Sequence, residues 1–358
     1  MQNIKSSRLS LCPDDDHKRD MTDAATLPVV DISRLNGGSL DERRALAREL
    51  DDACARHGFL YIKGSQFDPA LFRRLVERAQ AYFALDHDAK MRSYIGRSEN
   101  HSGYVPTGEE QFAGGSNDLK EAYDVNYDYA AADGRRPLLG PNLWPDMPGF
   151  REDVQAYYAH IVSIGRQLFR AFALALGLDE DHFDGHLRHP PNQLRLIHYP
   201  FDAAAEDRPG IGAHTDYECF TLLFATGPGL QIVDKQGQWV DVPLIEGMMI
   251  MNIGDMMEVL SNGRYVATRH RVKKVEQQRF SFPLFFACDY DYVVAPVIGG
   301  GAARYAPIKG GEHLFNQTAQ TFTYLKRKVA SGELALTDAV PLDSFGQHAT
   351  ELGHHSCL

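Results

Sequence analysis

The stretch GIGAHTDYECFTLLF (residues 210–224) decides how the chain reads. Its second half is apolar and rich in strand formers, yet its first half sets a histidine and an aspartate two positions apart where a buried strand would carry Val or Ile. Strand side chains alternate faces, so His214 and Asp216 are expected to share one face and Thr215 to take the other. An imidazole and a carboxylate directed into an apolar sheet need partners, and one metal ion satisfies both.

Outward from this stretch, Gln193 to Tyr290 keeps a period of two. QLRLIHYP, AHTDYECFTLLF, GLQIV, QWVDV, MMIMNIG, RYVAT, HRVKKV and RFSFPLFFACDY are separated by Gly, Pro, Asn and Asp. So many short strands in about a hundred residues predict an antiparallel sandwich or barrel, with Asn262-Gly263 as a tight hairpin between two of them.

A third ligand follows. His270, in ATRHRV, comes 53 intervening residues after Asp216, room enough for several strands to return beside the first pair. Two histidines and a carboxylate make the facial triad typical of non-haem Fe(II), which leaves coordination positions open for catalysis; a structural zinc site would want four protein ligands. Arg279 and Ser281 share a strand face, and the same parity puts Arg195, Ile197 and Tyr199 together. A guanidinium inside a barrel needs an anion, which its planar fork grips in bidentate fashion. The cavity is thus expected to hold a dianionic small molecule beside iron.

Each signal has a plainer rival. A lone His-x-Asp pair is more often a structural hydrogen bond, and it is His270 and the Arg-x-Ser pair that tip the balance. Arg195 could equally brace a loop carboxylate, and Tyr199 could be core. His198 and the aromatics of FPLFFACDYDY read as structural, and Cys219 and Cys288 as small hydrophobes.

The amino-terminal part is helix-rich. PVVDISRL (28–35) reads as a strand, Ser39 and Glu42 as a capping box opening a helix with Leu46, Leu50, Ala53 and Cys54 on its apolar stripe, and FLYIKG (59–64) as another strand. Asp68-Pro69 begins a second helix. Residues 90–145 read mostly as loop with short strands, Glu152 to Leu176 as a long helix, and Phe315 to Ala330 as a last helix across the barrel. The expected organisation is a polar leader (1–26), in which Met21 could be the start, a helical and loop region (27–145), the long helix, β core and last helix (146–335), and a loose tail (336–358).

In 358 residues, 48 acidic against 37 basic side chains give a net charge of −11, which disfavours nucleic acid or an anionic membrane as partner and suits a small-molecule enzyme. The five cysteines (Cys12, Cys54, Cys219, Cys288, Cys357) show no CxxC pair, and no run is long enough to span a membrane. A soluble, cytoplasmic protein is expected; oligomeric state is not legible.

HTD, SNGRYVATRHRV and RFS together resemble the Fe(II)/2-oxoglutarate-dependent dioxygenase superfamily, in the branch of isopenicillin N synthase, with likeness to the bacterial ethylene-forming enzyme. The resemblance covers roughly Pro28 to Lys328 and implies an α+β chain with a mainly β core, a double-stranded β-helix or jelly roll with flanking helices. It implies iron held by His214, Asp216 and His270, 2-oxoglutarate held through Arg279, Ser281 and Tyr199 with Arg195 beside it, and dioxygen as oxidant. Succinate and carbon dioxide would leave while a small metabolite is oxidised, with hydroxylation the expected outcome. SGYVPTGEE makes Tyr104 and Glu110 candidate substrate contacts, although Phe112 departs from that branch's pattern, as does Ile197-His198-Tyr199-Pro200 from the plant Asn-x-Tyr-Pro. Two other readings stay open: an oxidase or cyclase that uses the iron without 2-oxoglutarate, and a binding jelly roll with inert zinc. Ethylene formation is a variant of the first reading.

Overall fold

The computed structural model describes residues 27–111, 118–129, 136–201, 209–298 and 302–336. The expected leader 1–26 with Cys12 and Met21, the tail beyond Leu336 with Cys357, and Phe112 lie outside these residues.

The chain begins with β1 (Val29–Asp31), α1 (Leu40–His57), β2 (Phe59–Lys63), α2 (Pro69–Phe83), α3 (His87–Met91), β3 (Gly103–Val105) and β4 (Glu121–Asn126). α1 opens on the expected capping box: the Ser39 hydroxyl accepts from the Glu42 amide, and the Glu42 carboxylate accepts from the Ser39 amide. It closes at Gly58, whose φ of +66° is left-handed. Next come α4 (Phe150–Ala175), β5 (Gln193–Tyr199), β6 (Ile211–His214), β7 (Phe220–Ala225), β8 (Leu230–Val233), β9 (Trp239–Asp241), β10 (Met249–Ile253) and α5 (Asp255–Leu260). The described chain ends with β11 (His270–Val272), β12 (Arg279–Phe286), β13 (Val293–Val294), β14 (Ile308–Lys309), α6 (Gly310–Thr321) and α7 (Thr323–Ala330).

Eight strands pair in the order β1-β2-β10-β7-β12-β5-β4-β3, and four, β6-β11-β8-β9, form a second sheet. Phe59, Tyr61 and Ile250 of the large sheet pack against Leu230 and Ile232 of the small one, so the two sheets face each other as in the expected jelly roll.

Parity then sorts the side chains. Leu194 and Leu196 of β5, Leu222 of β7, Met249 and Met251 of β10, and Phe280, Phe282, Leu284 and Phe286 of β12 join the core shared with α1, α2 and α4. The alternate residues Arg195, Ile197, Tyr199, Thr221, Leu223, Asn252, Arg279, Ser281, Pro283 and Phe285 face the space between the sheets. The helices plug one face so that the other can carry polar groups.

The tightest helix-to-sheet approach is at Gly165 of α4, where a Cβ would fall 2.0 Å from Phe286 Cε1. Phe286 is itself stacked on Phe220, 4.8 Å between centroids, and cannot step aside cheaply. Gly165→Ala would gain about 1 kcal/mol of helix propensity but overpack by up to about 3 kcal/mol. A net loss of about 2 kcal/mol is expected in chemical denaturation; an unchanged midpoint would mean the ring is loosely held.

Three expectations are corrected. RYVAT is not a strand, and Asn262-Gly263 is no hairpin: both residues are left-handed (φ +52° and +77°) and end α5, with the Gly263 amide donating to the Glu258 carbonyl. A hairpin and a helix terminus demand the same pair of backbone conformations, so the dipeptide alone does not separate them. The last helix breaks at Phe322, whose extended backbone (ψ 128°) forms a β-bridge with Glu110. Within residues 90–145, read as mostly loop with short strands, two short strands do form: β3 and β4 join the large sheet, both buried throughout. Finally, 210–224 is two strands: β6 ends at His214, and Asp216 lies in the turn before β7.

Candidate active site

The turn that carries Asp216 is stitched to α5. The Asp255 amide donates to the Asp216 carbonyl, the Gly254 amide to that of Cys219, and the Met256 amide to that of Glu218. A Cβ on Gly254 would meet the Glu218 carbonyl at 2.3 Å, so glycine is what lets the two segments touch. His214 and Asp216 thus converge through a pinned turn, not through strand parity. His270 stands directly opposite His214 in the β6–β11 register, their rings 4.4 Å apart.

The three groups offer ligand atoms all within 4.8 Å of one another. His214 Nδ1 donates to the Gly212 carbonyl at 2.8 Å, and His270 Nδ1 to that of Thr268 at 3.1 Å. A carbonyl only accepts, so each Nδ1 carries the hydrogen and each Nε2 turns a lone pair inward. Asp216 Oδ1 lies 3.7 Å from Nε2 of His214 and 3.4 Å from that of His270. The other oxygen, Oδ2, accepts from Asn252 Nδ2 at 2.7 Å and from the Thr221 hydroxyl. One carboxylate oxygen is thereby tied to the sheet and the other presented with two imidazole lone pairs.

The electrostatics agree. Burial pushes His214 down to about 3, with His270 beside it adding to the effect. Burial also lowers His270, but the Asp216 charge outweighs it and raises the group overall. Asp216 itself is pushed up by burial yet held well below the carboxylate range by His270, His214 and Thr221. Behind the turn, burial raises Glu218 to about 8 with Asp216 adding, and raises Asp255 with Glu258 adding. So dense a set of buried acids complements a divalent cation.

Two cavities meet at these residues. The larger, about 550 Å³, runs between the sheets past His214, Asp216 and His270 to Tyr199, Arg279 and Ser281. Arg279 is only 2% exposed; its Nε donates to the Gly227 carbonyl at 2.9 Å and its Cζ lies 4.7 Å over the Tyr199 ring. Its Nη1 has no hydrogen-bond partner among the described residues. Burial lowers its pKa, and Tyr199 offsets only part of that. A buried, incompletely partnered guanidinium is what an anion's carboxylate would complete.

The second cavity, about 450 Å³, lies on the other side of His214 and Asp216 and is bordered by His101, Glu110, Glu218, Leu314 and Phe322. Arg195 and Phe285 border both. Arg195 Nη1 donates to the Glu110 oxygens at 2.9 and 3.0 Å, and Nε to Asp124 Oδ1 at 2.9 Å. Lys120 also donates to Glu110. Burial works against the Glu110 charge, but Arg195 and Lys120 outweigh it and hold the carboxyl well below its usual range. Glu110 is therefore no solvated loop side chain.

Tyr104, expected at the substrate, is corrected: it is buried in the helix-side core, its hydroxyl donating to Glu121 Oε2 at 2.6 Å, and it borders neither cavity. Glu121 also takes Lys90 and His198, the latter stacked on Phe280. Thr221, Asn252, Lys120 and His101 were not singled out in the sequence, and Phe285, read as structural with its aromatic neighbours, borders both cavities. Asn252 had a signal, a lone amide in the apolar run MMIMNIG.

The family model of the non-haem dioxygenase N-terminal region, described from morphine synthesis, matches residues 27–147, and that of the 2OG-Fe(II) oxygenase superfamily matches residues 190–287. A homoarginine-6-hydroxylase of Oryza sativa subsp. japonica is 32% identical over 326 residues, 84% of this chain and 99% of that protein. The chain belongs to the 2OG-Fe(II) oxygenase superfamily. A 2-oxoglutarate-Fe(II) type oxidoreductase of Emericella nidulans is 31% identical to this oxygenase, covering 74% of it and 80% of the relative. Among solved structures, a full-length Neurospora crassa protein in complex with alpha-KG superposes with a TM-score of 0.74 at 25% identity, over 84% of this chain and 100% of that one. The rice dioxygenase for auxin oxidation gives 0.66 at 27%, over 88% and 98%. The protein is an iron(II)- and 2-oxoglutarate-dependent oxygenase, with dioxygen as the other cosubstrate. No helix among the described residues is long and apolar enough to cross a membrane.

Proposed function

We propose that His214, Asp216 and His270 hold the iron, that Arg279, Ser281 and Tyr199 hold the distal carboxylate of 2-oxoglutarate in the larger cavity, and that the second cavity receives the small molecule to be hydroxylated. The observation that carries this reading is the pair of imidazoles whose Nδ1 hydrogens are taken by backbone carbonyls while both Nε2 lone pairs turn to one Asp216 oxygen. When bound, iron with 2-oxoglutarate and dioxygen supplies the oxidising power, the keto acid leaving as succinate and carbon dioxide while one oxygen atom enters the substrate.

The chain's part is to position and to exclude water. Thr221 and Asn252 fix Asp216 so that only one of its oxygens is presented. Arg279 orients the cosubstrate along the cavity. Arg195, held by Asp124 and Glu110, forms the wall between the chambers, so Glu110 acts through Arg195. The homoarginine-6-hydroxylases among the relatives make a cationic amino acid the first alternative substrate. Glu110, the carboxylate expected to meet such a cation, is already engaged by Arg195 and Lys120, which supports a substrate with a neutral polar group instead.

Protein loaded anaerobically with Fe(II) and then given oxygen and C1-labelled 2-oxoglutarate is expected to release labelled carbon dioxide and succinate in equal amounts. Oxygen consumption with no decarboxylation would favour an oxidase, and tight zinc with neither would favour a binding protein.

A further inference from the structure

His101 stands on a turn that polar side chains hold rigid. The Ser98 hydroxyl accepts from the amides of Asn100 and Ser102, both 3.1 Å, while Asn100 Oδ1 accepts from the hydroxyls of Ser98 and Ser102, both 2.6 Å. Asn126 Nδ2 donates to the carbonyls of Asn100 and His101. So braced, His101 keeps a φ of +60°, a left-handed conformation uncommon for a residue with a side chain, though histidine adopts it more readily than most. The braced turn places His101 at the border of the second cavity.

One ring nitrogen is occupied and the other is not. Nδ1 lies 2.6 Å from the Tyr324 hydroxyl, and Nε2 is buried without a hydrogen-bond partner among the described residues. His101 borders the second cavity, and Tyr324, on its Nδ1 side, is not among the described residues that do. The Tyr324 hydroxyl has no other partner among the described residues. A Tyr324 hydroxyl that donates to Nδ1 leaves the imidazole hydrogen on Nε2, free to donate to a ligand.

That donor is uncharged: burial, with Arg195 nearby, pushes His101 down to about 3. The cations near it are already paired, Arg195 with Glu110 and Asp124, and Lys120 with Glu110 and Asp118. With Arg195, Lys120 and Glu110 already engaged in buried pairs, a charged group of a ligand gains little beside them. A neutral acceptor loses nothing there.

We propose that His101 is a substrate-recognition residue whose Nε2–H donates to a neutral carbonyl oxygen of the substrate, as in an amide, lactam or imide. The proposal rests on the second cavity being the substrate's.

The test is the two-bond proton–nitrogen spectrum of protein labelled with ¹⁵N-histidine, titrated with 2-piperidone, guanidinium and acetate as probes. His101→Asn assigns the resonance, since asparagine tolerates the left-handed backbone and lacks the outer nitrogen; His101→Gln serves if that variant does not fold. The expected result is an Nε2–H tautomer whose resonance moves saturably with 2-piperidone and does not respond to guanidinium or acetate. An Nδ1–H tautomer, no response to 2-piperidone, or a larger response to either ion overturns the proposal. Decarboxylation of labelled 2-oxoglutarate by the same sample is read separately: turnover without the His101 response sinks this inference alone, and the response without turnover sinks the oxygenase assignment of the site.

Discussion

His214→Ala is expected to lower metal affinity by far more than a hundredfold and to abolish 2-oxoglutarate decarboxylation. With three protein donors, the loss of one leaves a pair that no longer encloses one side of an ion. Asn252→Ala provides the scale. It removes only the amide that ties Asp216 Oδ2 to β10, and loss of a group that orients a ligand costs about 10- to 100-fold in metal affinity. Titration with Co(II), followed by its visible spectrum, ranks wild type, Asn252→Ala and His214→Ala without any need for a substrate. Equal affinity in wild type and His214→Ala would mean that the three side chains do not share an ion.

What the sequence made legible here is what strand parity controls. Arg195, Ile197 and Tyr199 share a face, as do Arg279 and Ser281, because β5 and β12 are regular neighbours in one sheet. His270 opposite His214 followed from chain return. Asp216 reached the right place for a different reason, since its position depends on a turn pinned by α5, and no period encodes a turn. The break at Phe322 was illegible because TFTYLK contains neither glycine nor proline; the helix yields there to a backbone pairing with Glu110, more than two hundred residues away. Tyr104 and Glu110 looked alike on a polar stretch, and only tertiary packing sends one into the core and the other to the cavity wall. Long-range ion pairs such as Arg195 with Asp124 and Glu110 likewise have no local signature.

Arg279→Leu is expected to raise the KM for 2-oxoglutarate by about 30- to several thousand-fold, corresponding to the 2 to 5 kcal/mol that a buried, charge-assisted pair commonly carries. Arg279→Lys keeps the charge but not the planar fork and falls between. The sharper consequence concerns the protein alone. In the absence of an anion, Arg279 is a cation inside the barrel with one backbone hydrogen bond, a ring beneath it and an unpartnered Nη1, and burial works against its charge. Replacing such a group by an apolar side chain removes a desolvation cost that Tyr199 and the Gly227 carbonyl repay only in part until a carboxylate arrives. The leucine variant without 2-oxoglutarate is therefore expected to melt at or above the wild-type temperature, while the rise in melting temperature that 2-oxoglutarate gives the metal-loaded wild type disappears. The two readouts move in opposite senses only if the guanidinium is there for the ligand. A variant that melts lower than wild type and still gains stability from 2-oxoglutarate would make Arg279 a structural brace and leave the cosubstrate's distal carboxylate to be held elsewhere.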